Sequence, residues 1–447
     1  MFQKTFLNFK ALCVYFSLFI IILFVCVSKQ NPEFSLGKET LNFYLTVSEK
    51  HLYDDETGII TNYEQRGDES ERPVHIKVTN PNGSVILEQD AGIKVVGQTS
   101  RAMPLKSFKL TARRSYDPEH GKFNFDFFKD DYTFDGKATA ITKYNAVVLR
   151  SISYGHDTTG SITLAGYSLA RQAGLAGTPH TVPANVYLND EYYGLSILTQ
   201  SQTPSTLSEM FHIENKDSIV VAQKGAAQKL ESELHPDEVA DYYSFNDEIR
   251  SADVISDELI EVISENLDIE QFLTYVAVET LLGNADWPHN NFKIWKCDGN
   301  GSLYQDGKWR YLIYDLDYIG CSEDLLRGNL DTLFFGTSRS HLLPQLMQHP
   351  DIQQQMASIY RNLLKTVFTE KNIRKTFSNA EEIIAEDLKV FLSSDRYDDY
   401  LLNSPDLIDF WNHGGREEVL EETIQCICNN RQIISAYFME HFGIQLL

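Results

Sequence analysis

The chain has 447 residues, of which 43% are hydrophobic and 12% aromatic, enough to build two or three domains or one two-lobed enzyme. Its formal net charge of −24 argues against a nucleic-acid partner, because a phosphate backbone needs a basic surface. An acidic surface suits plain solubility, a cationic partner or bound metal.

An apolar stretch lies near the N-terminus. Residues 11–27 contain no charged side chain, and Lys4 and Lys10 precede them. This pattern is typical of an export signal, and its length is near the lower limit for a membrane span. Because no small-x-small cleavage site follows, we predict an uncleaved signal anchor within residues 1–29, with the body of the protein outside the cytoplasm. If the signal is cleaved, the protein is secreted.

Short alternating strands dominate the next part of the chain, up to about residue 204. The pattern predicts a β-rich extension over residues 30–90 and a β-rich N-lobe over 91–204. One helix is predicted within the N-lobe, at residues 161–173. The strands are predicted at 43–47, 74–78, 84–87, 93–97, 107–112 and 186–198, the last turning as a hairpin at Asn189-Asp190.

After residue 205 the apolar periodicity becomes helical, which predicts a mainly helical C-lobe over residues 205–447 and an α+β fold. A strand pair at 292–296 and 309–314 interrupts the helices. The predicted helices are 257–266, 269–282, 342–348, 352–367, 372–392 and 417–442.

Residues 284–291 read Asn-Ala-Asp-Trp-Pro-His-Asn-Asn, and we call them the Asp286 loop. The spacing from Asp286 to Asn291 is that of the protein-kinase catalytic loop, H-R-D-x-x-x-x-N, although Asn-Ala replaces His-Arg. In a phosphotransferase, Asp286 would accept the proton of the attacking hydroxyl, and Asn291 would bind a divalent metal. A hydrogen-bonded turn is the alternative explanation of the same residues. His289 is a proton carrier, a metal ligand or a packed loop residue.

The strand that follows the loop ends in two acids, Asp315 and Asp317, on one face. Carboxylates this close repel each other unless a cation joins them. Either a metal ion or a buried network with arginine would resolve the repulsion. A metal site here would hold Mg²⁺ or Mn²⁺ against the phosphates of ATP.

Phosphoryl transfer also needs a cation from the first lobe to bind the nucleotide phosphates. Side chains alternate along the strand at 107–112, so Lys106 shares the apolar face with Phe108, whereas the face of Lys109 looks solvated. We therefore predict Lys106 as the phosphate-binding lysine, with a surface lysine as the alternative.

Further polar residues of the first lobe are candidate nucleotide ligands. Ser100 and Arg101 follow Gly97, which can turn a strand tightly, so the segment is either a phosphate cradle or a plain turn. Arg150 ends a strand and would bind phosphate or brace the lobe. Asp157 would cap the helix that begins at residue 161 or pair with the lysine.

The six cysteines show neither a Cys-x-x-Cys pair nor histidines at zinc spacing. Cys297 and Cys321 flank the predicted strand pair. They could form a bridge in an exported protein, and free thiols are the alternative.

Together these motifs resemble those of the CotH kinase family, the spore-coat-protein-H-type atypical protein kinases. The resemblance implies a divergent two-lobed kinase-like fold that uses ATP and a divalent metal to phosphorylate Ser or Thr of secreted or surface proteins. By position it implies Lys106 as a nucleotide ligand, Asp286 as the catalytic aspartate, and Asn291, Asp315 and Asp317 as metal ligands. The segments that carry it are 52–59, 63–67, 71–76, 92–109, 149–150, 186–194, 284–291 and 309–317.

The chain departs from the family pattern at two places. Residues 165–167 read Ala-Gly-Tyr where many members have an Arg-Asp pair, and Thr199-Gln200 stands where an acid is frequent. Both departures concern nucleotide positioning. A catalytically weak kinase-like surface protein that binds a partner is therefore the second hypothesis. A metal-dependent hydrolase is the third, although more metal-binding histidines would then be expected.

Overall fold

The computed structural model describes residues 40–129, 133–134, 139–152, 157, 159–224, 229–299, 301, 303–396 and 415–447. The chain divides into two compact units, Met1–Ser35 and Leu36–Leu447, and all described residues belong to the second. The predicted signal anchor at residues 11–27 lies outside the described residues. Within the described ranges, no helix has the length and apolar character needed to cross a membrane.

Seven strands of the first half form a closed barrel in the order β1-β2-β3-β4-β7-β9-β8. Neighbouring strands are antiparallel except β1 and β8, whose parallel pairing closes the barrel. The predicted boundary at residue 90 falls inside β3, and strands from both sides of it belong to this one barrel. The strands of this half, including the separate pair β5–β6, are β1 Leu41–Thr46, β2 Arg72–Thr79, β3 Val85–Val96, β4 Ser107–Thr111, β5 Phe123–Asn124, β6 Lys143–Tyr144, β7 Ala146–Ser151, β8 Thr181–Leu188 and β9 Glu191–Gln200.

The two faces of the barrel wall differ sharply. Phe108 and Leu110 of β4 lie opposite Leu149 and Val147 of β7, and all four side chains are buried in the barrel interior. The alternate positions point outward, because successive side chains of a strand lie on opposite faces.

On this outer face Lys109 pairs with Lys94 on one side and with Val148 on the other. Arg150 lies two residues beyond Val148, on the same face. The outer face of β3, β4 and β7 thus presents three cations.

The second half is mainly helical, with a four-stranded sheet in the order β11-β10-β12-β13. These strands are β10 Ile219–Lys224, β11 Leu230–Glu231, β12 Lys293–Cys297 and β13 Arg310–Tyr311. The described helices of the whole chain are α1 Glu49–Tyr53, α2 Ser161–Gln172, α3 Pro204–Met210, α4 Pro236–Arg250, α5 Asp257–Asn266, α6 Ile269–Leu282, α7 Glu323–Phe335, α8 Leu343–Leu346, α9 Pro350–Thr366, α10 Glu370–Leu392 and α11 Gly415–Phe442.

The mixed α+β prediction is confirmed, and α5 and α6 have the predicted bounds. Helix α6 forms the centre of the helical half, where eleven of its fourteen residues are buried. The side chain of Asp268 caps its first turn by accepting from the amide of Gln271, and Gly283 ends it in the left-handed conformation. The strand predicted at 309–314 is shorter than expected, because only Arg310 and Tyr311 join the sheet and the chain then leaves it towards Asp315.

Candidate active site

The end of α6 fixes where the Asp286 loop begins. Gly283 has a φ of 64°, and a Cβ there would lie 2.5 Å from the Asn430 side-chain nitrogen, so a larger residue meets both strain and a clash. From this point the chain runs beside the segment 318–321. The amide of Ala285 donates to the carbonyl of Tyr318 at 2.8 Å.

Two further backbone bonds complete this short ladder. Gly320 donates to Leu282 at 2.8 Å, and Cys321 donates to Gly283 at 3.0 Å. The loop that carries Asp286 is therefore held alongside the segment that follows Asp315 and Asp317.

A buried acid on α6 holds the start of the loop. Glu279 is fully buried, and its Oε2 accepts from the side-chain amide of Asn284 at 3.0 Å. The Oδ1 of Asn284 in turn accepts from the backbone amide of Asp286 at 3.2 Å. Burial raises the pKa of Glu279 to about 8, while Asn284 and Tyr275 favour its charged form and Asp315 opposes it. The neutral acid thus anchors Asn284, which positions Asp286.

Two candidate metal ligands have an unusual backbone conformation. Asn291 has a φ of 61° and Asp315 a φ of 63°, a region that is uncommon for residues other than glycine. The side-chain nitrogen of Asn291 is buried, and in the described part of the protein it has no hydrogen-bond partner. Backbone conformations of this kind are common at active sites and ligand-binding sites.

Arg150 of the barrel binds both acids of the helical half. Its guanidinium forms ion pairs with Asp315 and, at 2.8 Å, with Asp317. The sequence left open whether a metal or an arginine offsets the repulsion of these acids, and the structure shows an arginine.

Helix α2 supports the same acids. The hydroxyl of Tyr167 accepts from the backbone amide of Asp315 at 3.0 Å. Its neighbour Gly166 lets the helix approach closely, because a Cβ there would lie 3.0 Å from Ile319 and 3.3 Å from Leu316. Tyr167, in the segment where many family members have an Arg-Asp pair, thus contacts the acid segment directly. Sequence reasoning missed this role, because it searched α2 for acids.

The surroundings of Asp315 and Asp317 suit the binding of a cation. Burial raises the pKa of Asp317, and the nearby charges of Asp315 and Asp157 add to the effect, whereas Arg150 opposes it. Two carboxylates and an amide oxygen suit Mg²⁺, which keeps several waters and bridges to phosphate. No group of three or more His, Cys, Asp or Glu side chains suited to a metal occurs among the described residues, so the phosphates would have to complete this ligand set.

The structure does not bring Lys106 to these acids. Its amine donates to the carbonyl of Arg101 at 2.7 Å and lies 4.1 Å from the centre of the Tyr63 ring. The apolar face of this strand, which Lys106 shares with Phe108, faces the barrel interior and not the helical half. The expectation that this face points into a cleft is therefore corrected.

Arg101 and Ser100 also have structural surroundings. Arg101 is buried and donates to the carbonyls of Gly97 at 2.6 Å, Tyr63 at 2.8 Å and Gln65 at 3.0 Å, which occupies its guanidinium with main-chain acceptors. Ser100 is half-buried in a short helical turn, and its Oγ packs so closely against Gly97 that a Cβ there would collide with it. Their roles as nucleotide ligands remain predictions that these contacts do not favour.

Lys109, expected to be solvated, is half-buried on the outer barrel face. Burial lowers its pKa, and Lys94 lowers it further. In the helical half a second lysine, Lys293 of β12, has its pKa lowered to about 8, first by burial and then by Lys109, while Asp315 raises it. Lys293 therefore lies within electrostatic range of Lys109 and of Asp315. Sequence reasoning missed Lys293, although it stands two residues after Asn291.

Two remaining predictions concern residues around this site. The carboxylate of Asp157 accepts from the amides of Ile162 at 3.3 Å and Thr163 at 2.7 Å. Of its two predicted roles, Asp157 therefore has that of the cap of α2. Cys297 and Cys321 are both buried free thiols, and the bridge between them is not formed.

A sequence model of the family described as CotH kinase protein matches residues 93–412. A search of curated proteins found no match. Among solved structures, the Helicobacter pylori proinflammatory kinase CtkA is 11% identical with a TM-score of 0.23. The match covers 54% of this chain and 86% of the CtkA chain. The Golgi casein kinase is 10% identical with a TM-score of 0.28, and the match covers 84% of this chain and 73% of the casein kinase chain. At these scores neither likeness carries an argument.

Proposed function

Because the chain belongs to the CotH kinase family, we propose that it is an ATP-dependent atypical protein kinase, and that it transfers the γ-phosphate to Ser or Thr of secreted or surface, spore-coat-like proteins. Asp286 is the residue that orients the acceptor hydroxyl and takes its proton. Family membership supports the kinase activity, whereas ATP, the acceptor residue and the class of protein substrate are parts of the proposal.

One observation carries the proposal: the segment of the acid pair is held by Arg150 on one side and by the Asp286 loop on the other. Arg150 reaches Asp315 and Asp317 from the barrel, and the Asp286 loop runs beside the segment that follows them. A binding module has no need to assemble an aspartate loop, two acids and an arginine at one place.

The metal ligands of the proposal are Asn291, Asp315 and Asp317. When bound, Mg²⁺ or Mn²⁺ would neutralise the charge of the nucleotide phosphates. The position of Asn291 supports this, because it ends the Asp286 loop five residues after Asp286, at the spacing of a metal-binding asparagine in kinases.

The proposed nucleotide-binding lysine is Lys109 in place of Lys106. Lys109 lies on the outer barrel face with Arg150, which contacts the acid pair, and in the described residues its amine forms no ion pair or hydrogen bond. Lys106 is occupied by the carbonyl of Arg101.

Incubation of the protein with labelled ATP, Mg²⁺ or Mn²⁺ and a Ser-rich acceptor tests the proposal. We expect label on the acceptor, loss of at least about a hundredfold in Asp286→Asn, and no loss in Asp241→Asn, an exposed control on α4. Mass spectrometry should locate phosphoserine or phosphothreonine. Nucleotide binding without transfer would favour a kinase-like binding protein, and ATP consumption without phosphoprotein would favour a hydrolase.

The location outside the cytoplasm is also a proposal. The uncharged residues 11–27 behind Lys4 and Lys10 support a signal anchor. Protease added to intact cells should degrade the body of the protein, and complete protection until lysis would contradict this location.

A further inference from the structure

A lysine of the helical half stands beside the acid pair without an acid of its own. Lys293 donates to the Oε1 of Gln202 at 3.2 Å, and its amine lies 4.3 Å from the centre of the Tyr314 ring. Within the described ranges it forms no ion pair. An amide oxygen and a ring face hold a cation in place without pairing it directly with an acid.

Gln202 is itself fixed. Its side-chain nitrogen donates to the carbonyl of Gly177 at 3.0 Å and to that of Ile313 at 2.9 Å. Because both donor hydrogens are used, the oxygen must point at Lys293. The position of the amine is therefore set by the fold before any ligand arrives.

The surrounding charges favour an anion. Lys109 shares the outer barrel face with Arg150, whose guanidinium pairs with both acids, and like charges brought together are costly. The two acids nearby are both engaged by Arg150. Lys109 of the barrel and Lys293 of the helical half, which come from opposite halves of the protein, form no ion pair in the described part of the chain.

We propose that Lys293 is a second phosphate-binding lysine, which contacts the terminal phosphate of a nucleoside triphosphate from the helical half while Lys109 contacts the phosphates from the barrel. The inference rests on the proposed kinase function and adds a residue to it. Tyr314, whose ring lies 4.3 Å from the Lys293 amine, directly precedes Asp315, so a nucleotide bound at the acid pair would lie near this amine.

The test compares Mg·ATP with Mg·ADP binding by isothermal titration calorimetry. A contact to the terminal phosphate affects only ATP, and charge-assisted hydrogen bonds are strong. We expect Lys293→Met to weaken ATP binding roughly tenfold or more and ADP binding less than about twofold, and Lys293→Arg to keep most of the ATP affinity. Lys77→Met is the matched control, because Lys77 also lies over a tyrosine ring, Tyr44 at 4.9 Å, away from the acids.

The outcomes separate the two proposals. If the wild-type protein binds ATP but Lys293→Met leaves ATP binding unchanged, or weakens ATP and ADP equally, the role of Lys293 is wrong and the kinase proposal stands. If the wild-type protein binds neither nucleotide, the kinase proposal is wrong and this inference falls with it. Thermal unfolding of each variant shows whether a loss of binding is only a loss of folded protein, and Lys293→Gln serves if the methionine variant does not fold.

Discussion

Glu279 allows a sharp test of how the Asp286 loop is positioned. It is fully buried on α6, accepts from Asn284, and has its pKa raised to about 8. The folded protein therefore keeps a proton on this acid that the unfolded chain releases above the ordinary pKa of 4.5. Because the folded state binds more protons in this window, the contribution of Glu279 to stability is full below pH 4.5 and is lost as pH rises towards 8.

The size of the effect follows from the pKa difference. At pH 7 the solution is about 2.5 pH units above the ordinary pKa of the glutamate, and each unit corresponds to about 1.4 kcal/mol. Keeping Glu279 protonated at pH 7 thus costs up to about 3 kcal/mol of unfolding free energy. Glu279→Gln keeps an oxygen that accepts from Asn284 and keeps a donor for Tyr275, but it has no proton to lose.

Urea unfolding at pH 5, 6, 7 and 8 measures this difference. We expect Glu279→Gln to gain stability over the wild type as pH rises, by up to about 3 kcal/mol at pH 7. Glu270→Gln, an exposed control on the same helix, should follow the wild-type curve. Parallel curves for Glu279→Gln and the wild type would refute the buried neutral acid. In the kinase assay Glu279→Gln should stay active, whereas Glu279→Ala should lower kcat, because Asn284 then loses its acceptor.

Three further predictions follow from the contacts. Lys109→Met should weaken ATP binding at least about tenfold with little change in Tm, whereas Lys106→Met should lower Tm and leave ATP affinity within about twofold; the reverse result would restore the assignment made from sequence. Arg150→Met should lower the unfolding free energy by about 2 kcal/mol, measured by urea titration. This loss is smaller than for a fully buried pair, because the three side chains are 11–30% exposed. Adding Mg²⁺ should restore part of the lost unfolding free energy. Burial lowers the pKa of His341 to about 3, so wild-type stability should fall as pH drops from about 6.5 towards 3, and His341→Gln should flatten that fall.

Local pattern was enough to find the chemistry of the helical half. The period of α6 and the cap at Asp268 are local signals, and they place the Asp286 loop directly after a helix. The acid pair could also be found from a local signal, because it follows a run of apolar residues with the pattern of a strand. These features depend on neighbours in sequence, and they needed no knowledge of the packing.

The sequence alone could not show which lysine faces the helical half, because this depends on how the barrel closes. Strand alternation separates Lys106 from Lys109 but does not say which face meets the other half. The parallel pairing of β1 with β8, about 140 residues apart in sequence, turns the apolar face inward. Once the barrel is closed, Lys106 lies on the interior side and Lys109 on the side of Arg150.

The two explanations of the acid pair that the sequence left open are compatible. Arg150 contacts Asp315 through Oδ1 and Asp317 through Oδ2, so each carboxylate uses one oxygen and has a second. Asp315 and Asp317 would therefore be able to hold a metal ion while paired with Arg150. The same ion pairs join the barrel to the helical half. Metal binding would therefore be coupled to how firmly the two halves are held together at this point, and Arg150→Met should weaken that coupling as well as the fold.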